Sequence, residues 1–103
     1  MNRPIRVIQY GLGPIGASIV RLMLEKAGLR IVGAVDIDPE KAGKDLGVVA
    51  DAGRELGVVV SDDAPAVLRA GADVVVHSTG SLLDQVADQL FGCLEAGLFV
   101  VSS

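Results

Sequence analysis

The chain has 103 residues; 50% are hydrophobic, 21% charged and only 3% aromatic, and the formal net charge is -4. That length predicts one domain with an aliphatic core, and the composition excludes intrinsic disorder and collagen-like repeats. One cysteine and one histidine exclude a disulfide framework and leave no basis for a Cys- or His-rich metal site. The acidic balance, with no cluster of Lys and Arg, argues against a nucleic-acid or anionic-membrane partner. The N-terminus lacks the apolar segment and cleavage site of a signal peptide. The longest uncharged stretch, Val7–Val20, is interrupted by Gly11, Gly13, Pro14 and Gly16 and is too short to span a bilayer. A soluble, cytoplasmic protein is expected.

Ile5–Tyr10 is an apolar run between Pro4 and Gly11 and reads as a strand. The spacing then becomes helical. Pro14 suits a first helical position and Gly28 a stop, so a helix is expected over Pro14–Ala27, with Ile15, Ile19, Leu22 and Met23 on its core face. Leu29–Val35 is almost wholly apolar and ends at Asp36, the pattern of a strand covered on both faces. Glycines and charges interrupt the next stretch, where a short helix is expected within Leu46–Glu55. Val58–Ser61 reads as a third strand. Asp63, Ala64 and Pro65 open a small helix that Gly71 closes. Val74–His77 reads as a fourth strand. Ser81-Leu82-Leu83-Asp84 resembles a capping box, and the helix behind it carries Leu83, Val86, Ala87, Leu90 and Leu94 on one face as far as Gly97. Leu98–Ser102 reads as a fifth strand.

Strands alternating with helices across short joints predict an α/β fold: a Rossmann-type parallel sheet of order 3-2-1-4-5 with helices on both faces. Its ligand crevice would lie at the carboxyl ends of strands one and four. An apolar fifth strand at the sheet edge predicts self-association, further residues downstream, or both.

Gly11-Leu12-Gly13-Pro14-Ile15-Gly16 is the strongest chemical signal. A GxGxxG alone is weak. Here it follows a strand, opens a helix and has an acid, Asp36, twenty positions after Gly16 at the end of the next strand. Gly11 would permit the tight turn, Gly13 the approach of a pyrophosphate, and Gly16 close helix packing. Free N–H groups at a helix start favour phosphate. An acid at the end of strand two suits the ribose hydroxyls of an adenosine, so NAD is the expected cofactor, with NADP possible. Asp38 rivals Asp36 for this role. Lys41 and Lys44 lie close enough in sequence to neutralise a 2′-phosphate, although surface lysines are more often simply solvated. Across the presumed crevice, Ser78, Thr79 and Gly80 are cofactor-contact candidates, weighed equally against a plain loop. His77 is expected to be a backbone-bonded strand-end residue rather than an acid–base group, and Tyr10 to pack near the turn. Cys93 is expected in the core, and Phe91 and Phe99 in the core or an interface.

Val-Ile-Gln-Tyr-Gly-Leu-Gly-Pro-Ile-Gly (7–16), Val-Gly-Ala-Val-Asp (32–36), Gly-Lys-Asp-Leu-Gly (43–47), Val-Ser-Asp-Asp (60–63) and Ala-Asp-Val-Val-Val-His-Ser-Thr-Gly-Ser (72–81) run along nearly the whole chain. Together they resemble the N-terminal domain of the dihydrodipicolinate reductase-like superfamily. Gln-Tyr-Gly-Leu-Gly and His-Ser-Thr-Gly-Ser look most like 2,4-diaminopentanoate dehydrogenases and related amine dehydrogenases. The run at 77–81 departs from the Phe-Thr-x-Pro-Glu type of true dihydrodipicolinate reductases. The resemblance implies hydride transfer between NAD(P)H and an imine made from a ketone and ammonia, or the reverse. It implies a small-molecule amine or ketone substrate; a homo-oligomer is expected from the apolar edge of strand five. It also implies that residues 1–103 form the dinucleotide-binding domain, with a substrate domain and the key carboxylate beyond Ser103. No catalytic or metal-binding residue is assigned within the chain. A dihydrodipicolinate reductase-type imine reductase is the nearest alternative. A non-catalytic nucleotide-sensing module is the alternative of another class, and a flavin or S-adenosylmethionine site is a third.

Overall fold

A computed structural model describes residues 4–78 and 99–102. Its strands are β1 (Ile5–Tyr10), β2 (Leu29–Val35), β3 (Val60–Ser61), β4 (Val74–His77) and β5 (Phe99–Ser102). Its helices are α1 (Pro14–Leu24), α2 (Leu46–Val49) and α3 (Ala64–Arg69). The sheet runs β3-β2-β1-β4-β5, as expected from sequence, and every pair is parallel. The helix expected behind Ser81 lies outside the described residues.

Parallel strands need cover on both sides, which is why their sequences are largely apolar. Alternate residues of β1 divide between the two faces. Val7 joins Leu12, Ala17, Val20, Met23, Leu46 and Ala50 on the α1 and α2 side. Ile8 and Tyr10 join Val35, Leu68 and Val75 on the α3 side. Each fully buried aliphatic side chain contributes about 1.5–3 kcal/mol relative to exposure.

Several elements differ from the sequence expectations. Helix α1 ends at Leu24, where the Glu25 N–H turns back to the Leu22 carbonyl and the Lys26 N–H to the Met23 carbonyl. Its buried face is Gly16, Ala17, Val20 and Met23. Ile15 and Leu22 are 67% and 60% exposed. The contact between Gly16 and the preceding turn sets the rotation of the helix and carries the face with Ala17 and Val20 inward.

Strand β3 starts two residues later than expected. Val59 instead makes an antiparallel bridge with Asp45. The Leu46 N–H donates to the Val58 carbonyl at 2.7 Å, and the Val60 N–H to the Lys44 carbonyl at 2.9 Å. Only Val60 and Ser61 remain to pair with Ala34 and Val35.

The β1–β2 register also shifts between Val7 and Ile8, whose partners are Ile31 and Gly33. That leaves Val32 as an extra residue in β2. The bulge places Gly33 where a Cβ would stand 2.8 Å from Val67 Cγ1, so a larger residue there would require the Val67 side chain to shift.

Candidate functional site

The carboxyl ends of β1, β2 and β4 converge on the turn that opens α1. Gly11 has φ +105, a conformation that favours glycine. Its N–H donates to the Val35 carbonyl at 2.8 Å, tying the turn to the end of β2. The first helical bond runs from the Ala17 N–H to the Gly13 carbonyl at 2.9 Å. The N–H groups of Ile15 and Gly16 therefore lie ahead of the helical ladder, and Pro14 has none to offer.

Gly13 is the N-cap, without a side-chain capping bond and with no acid in the first turn of the helix. The other two described helices are capped by carboxylates of the chain, Asp45 for α2 and Asp63 for α3. Helix α1 thus keeps its positive end available, and nothing lies within 4 Å of where a Gly13 Cβ would stand. That open cradle and set of donors fit a diphosphate.

Gly16 is constrained differently. A Cβ there would collide with the Gly11 carbonyl and stand 3.0 Å from Ser78 Oγ. Its absent side chain brings the helix against the turn itself and the end of β4.

Asp36 closes the β2 side. Its Oδ2 accepts the Leu12 N–H at 2.8 Å and its Oδ1 accepts the Asp38 N–H at 2.9 Å. An ionised carboxylate has about four acceptor sites, so about two remain for other donors. The Asp38 carboxylate accepts the Glu40 N–H at 2.9 Å, forming a turn of its own.

Lys41 is not merely solvated. Its Nζ donates to the Leu12 carbonyl at 2.9 Å and lies 3.9 Å from both Asp36 Oδ2 and Asp38 Oδ2. Lys44 is exposed and joins the fold through its backbone.

On the β4 side, Ser78 is buried and its N–H donates to the Tyr10 carbonyl at 2.9 Å. Its hydroxyl points beneath the turn: Oγ accepts from Gln9 Nε2 at 2.7 Å and lies 3.5 Å from the Gly11 carbonyl. Gln9, fully buried, also donates to the Gly11 carbonyl at 2.9 Å. One amide therefore joins β1, the glycine turn and the start of the loop after β4. Sequence reasoning passed Gln9 over; a polar residue inside an otherwise apolar β1 was the available signal. His77 is buried on the opposite face, its ring 5.1 Å from that of Tyr10, which packs behind the turn as expected. Thr79, Gly80, Phe91 and Cys93 lie outside the described residues, as do the side chains of β5.

An open groove of about 490 Å³ lined by Arg6, Val32, Val58 and Val67 lies on the α3 face, away from the glycine turn. No described helix is long and apolar enough to cross a membrane.

Residues 5–102 match the family described as dihydrodipicolinate reductase, N-terminus. A 4-hydroxy-tetrahydrodipicolinate reductase of Anaeromyxobacter sp. (strain Fw109-5) is 39% identical over 92% of this chain and 34% of its own length. The structure of an amine dehydrogenase from Mycobacterium smegmatis is similar at 40% identity and a TM-score of 0.88, over 95% of this chain and 29% of that one. A WlbA dehydrogenase from Chromobacterium violaceum, solved with NADH and UDP-GlcNAcA, is similar at 28% identity and a TM-score of 0.72, over 99% of this chain and 28% of that one. The chain thus spans about a third of the length of the relatives it matches.

Proposed function

The chain belongs to the dihydrodipicolinate reductase N-terminal family, and from that premise we propose that it binds NAD(P) at its glycine turn as the cofactor domain of an amine dehydrogenase-like oxidoreductase. The observation that carries this reading is the 2.8 Å bond from the Leu12 N–H to Asp36 Oδ2. It ties a phosphate-type cradle at an uncapped helix start to an acid suited to a ribose.

In this reading the N–H groups of Gly13, Ile15 and Gly16 receive the pyrophosphate, with Gly11, Leu12 and Pro14 shaping the turn. Asp36 receives ribose hydroxyls on its remaining acceptor sites. Ser78 supports the turn from below, and Thr79 and Gly80, next in sequence, contact the cofactor. A bound nicotinamide supplies or accepts hydride; the chain's own task is to hold and orient it. NAD is the cofactor proposed first, because a carboxylate at this position disfavours a 2′-phosphate.

The reaction proposed is reversible: oxidative deamination of an amine, or reductive amination of a ketone with ammonia. Likeness to the Mycobacterium smegmatis enzyme supports it. The substrate would be held by a domain outside residues 1–103. A second reading, reduction of a cyclic imine of the dihydrodipicolinate type, is favoured by the 39% identity to the Anaeromyxobacter reductase.

Titration of the full chain with NADH and NADPH tests the cofactor. Saturable enhancement of nicotinamide fluorescence is expected, and its absence with both overturns the reading. The reaction is tested on a protein that carries these residues together with the substrate domain: oxidation of NADH by a ketone only when ammonia is present supports the amine reaction. Ammonia-independent turnover with a cyclic imine supports the second reading.

A further inference from the structure

We propose that Gln9 is a positioning residue for the cofactor site: acting through the Gly11–Leu12 peptide, it fixes the Asp36 carboxylate that is to receive the ribose. The inference rests on the cofactor reading above and extends it to a buried residue beneath the site.

Gln9 is fully buried in β1 between Ile8 and Tyr10. Both hydrogen bonds of its amide are made by Nε2, to the Gly11 carbonyl at 2.9 Å and to Ser78 Oγ at 2.7 Å. Its Oε1 is buried without a hydrogen-bond partner. Exchanging the two ends of the amide would set an oxygen against the Gly11 carbonyl, so that carbonyl decides how the amide sits. A buried acceptor left unpaired is a cost that packing alone does not explain.

The Gly11 carbonyl and the Leu12 N–H belong to one trans peptide and point in opposite directions. Gln9 holds the carbonyl edge of that plane from beneath the turn. Asp36 Oδ2 takes the N–H edge at 2.8 Å. Gly11 has no Cβ, so little steric resistance opposes rotation of the plane that follows it. The Gln9 amide supplies the resistance. If the plane turns, Asp36 Oδ2 loses the Leu12 N–H, and the Lys41 ammonium, 3.9 Å away, competes for it. The acceptor sites left for the ribose then lose their fixed direction.

The test is a double-mutant cycle in the full chain. Wild type, Q9M, D36A and the Q9M/D36A pair are titrated with NADH by nicotinamide fluorescence, with urea unfolding midpoints alongside. Q9M keeps the reach of the side chain and removes its donors. It should weaken NADH binding about fivefold or more beside Asp36 and less than about twofold once Asp36 is gone, the non-additivity expected within one hydrogen-bond network. The drop in urea midpoint caused by Q9M should appear in both backgrounds, because the Gly11 carbonyl and the Ser78 hydroxyl lose their donor in each. If Q9M does not fold, Q9N takes its place in the cycle: its amide is one methylene shorter and its donor is withdrawn from the Gly11 carbonyl.

Equal weakening of NADH binding in the two backgrounds overturns the inference and makes Gln9 a structural clamp only. No weakening beside Asp36 overturns it as well. In both cases the wild type still binds NADH and the cofactor reading stands. Wild-type protein that binds neither NADH nor NADPH overturns that reading and this inference with it.

Discussion

Gln9 Nε2 donates to Ser78 Oγ at 2.7 Å, and the same nitrogen donates to the Gly11 carbonyl at 2.9 Å. This fully buried amide fixes the spacing between the glycine turn and the loop that follows β4. Replacing Gln9 with Leu leaves the Gly11 carbonyl and the Ser78 hydroxyl without that donor. Uncompensated buried polar groups cost about 1–3 kcal/mol, so Gln9→Leu should lower unfolding free energy by about 2 kcal/mol in urea denaturation. A change indistinguishable from zero would show that the amide does not clamp the turn.

Gly13 and Gly16 should separate binding from folding. At Gly13 φ is -68, which any residue adopts, and an added Cβ meets nothing within 4 Å. Gly13→Ala should therefore unfold within about 0.5 kcal/mol of wild type, as surface substitutions do. Its methyl would nevertheless stand where the pyrophosphate is proposed to approach, and NADH affinity should drop. At Gly16 a Cβ runs into the Gly11 carbonyl, so Gly16→Ala should cost about 1–3 kcal/mol of stability, the range for overpacking. Urea unfolding and NADH titration of both variants check the pair. Equal loss of stability in the two would contradict the assigned roles.

The strands and the glycine turn were legible because each is a local pattern. Val7, Ile8, Val35 and Val75 are apolar because they are covered on two faces, and Asp36 stands where β2 meets solvent. What was not legible depends on contacts distant in sequence. Ile15 and Leu22 have helical spacing as good as that of Val20 and Met23. The Gly16–Gly11 contact decides which pair is buried, and hydrophobicity alone does not reveal it. Lys41 reads as an ordinary surface charge until the turn after β2 folds back and sets it against Leu12. Val58 and Val59 have strand character, but the chain around Asp45 claims their hydrogen bonds first.

Asp36→Ala tests the ribose side. It removes the acceptors for the Leu12 and Asp38 N–H groups and the proposed acceptor for the sugar hydroxyls. Loss of one or two hydrogen bonds to a charged group predicts about tenfold or greater weakening of NADH binding. NADPH should suffer less, because the substitution also removes a negative charge facing the 2′-phosphate. Nicotinamide fluorescence titration measures both. Equal losses for the two cofactors would place the 2′ position away from residue 36.

Asp45 gives the fold a pH dependence separate from cofactor chemistry. Its carboxylate accepts the Leu56 N–H at 2.9 Å, the Gly47 N–H at 2.7 Å and the Gly57 N–H at 2.9 Å. These bonds, that from Leu56 first, hold its pKa below the usual aspartate value, although partial burial opposes them. A carboxyl with a depressed folded-state pKa stabilises the fold above its unfolded value, about 3.9. That stabilisation is lost as pH falls from there through the folded-state value. The Asp45 contribution should therefore be constant from neutrality to about pH 5 and decline below it. Asp45→Asn removes the charged acceptor and leaves one carbonyl oxygen in place of two carboxylate oxygens. Wild type should be the more stable at pH 7, and the gap in urea midpoint between the two proteins should narrow at pH 3, where the wild-type carboxyl is losing its charge. A gap that stays constant across that range would mean the three N–H bonds do not discriminate between the ionised and protonated forms.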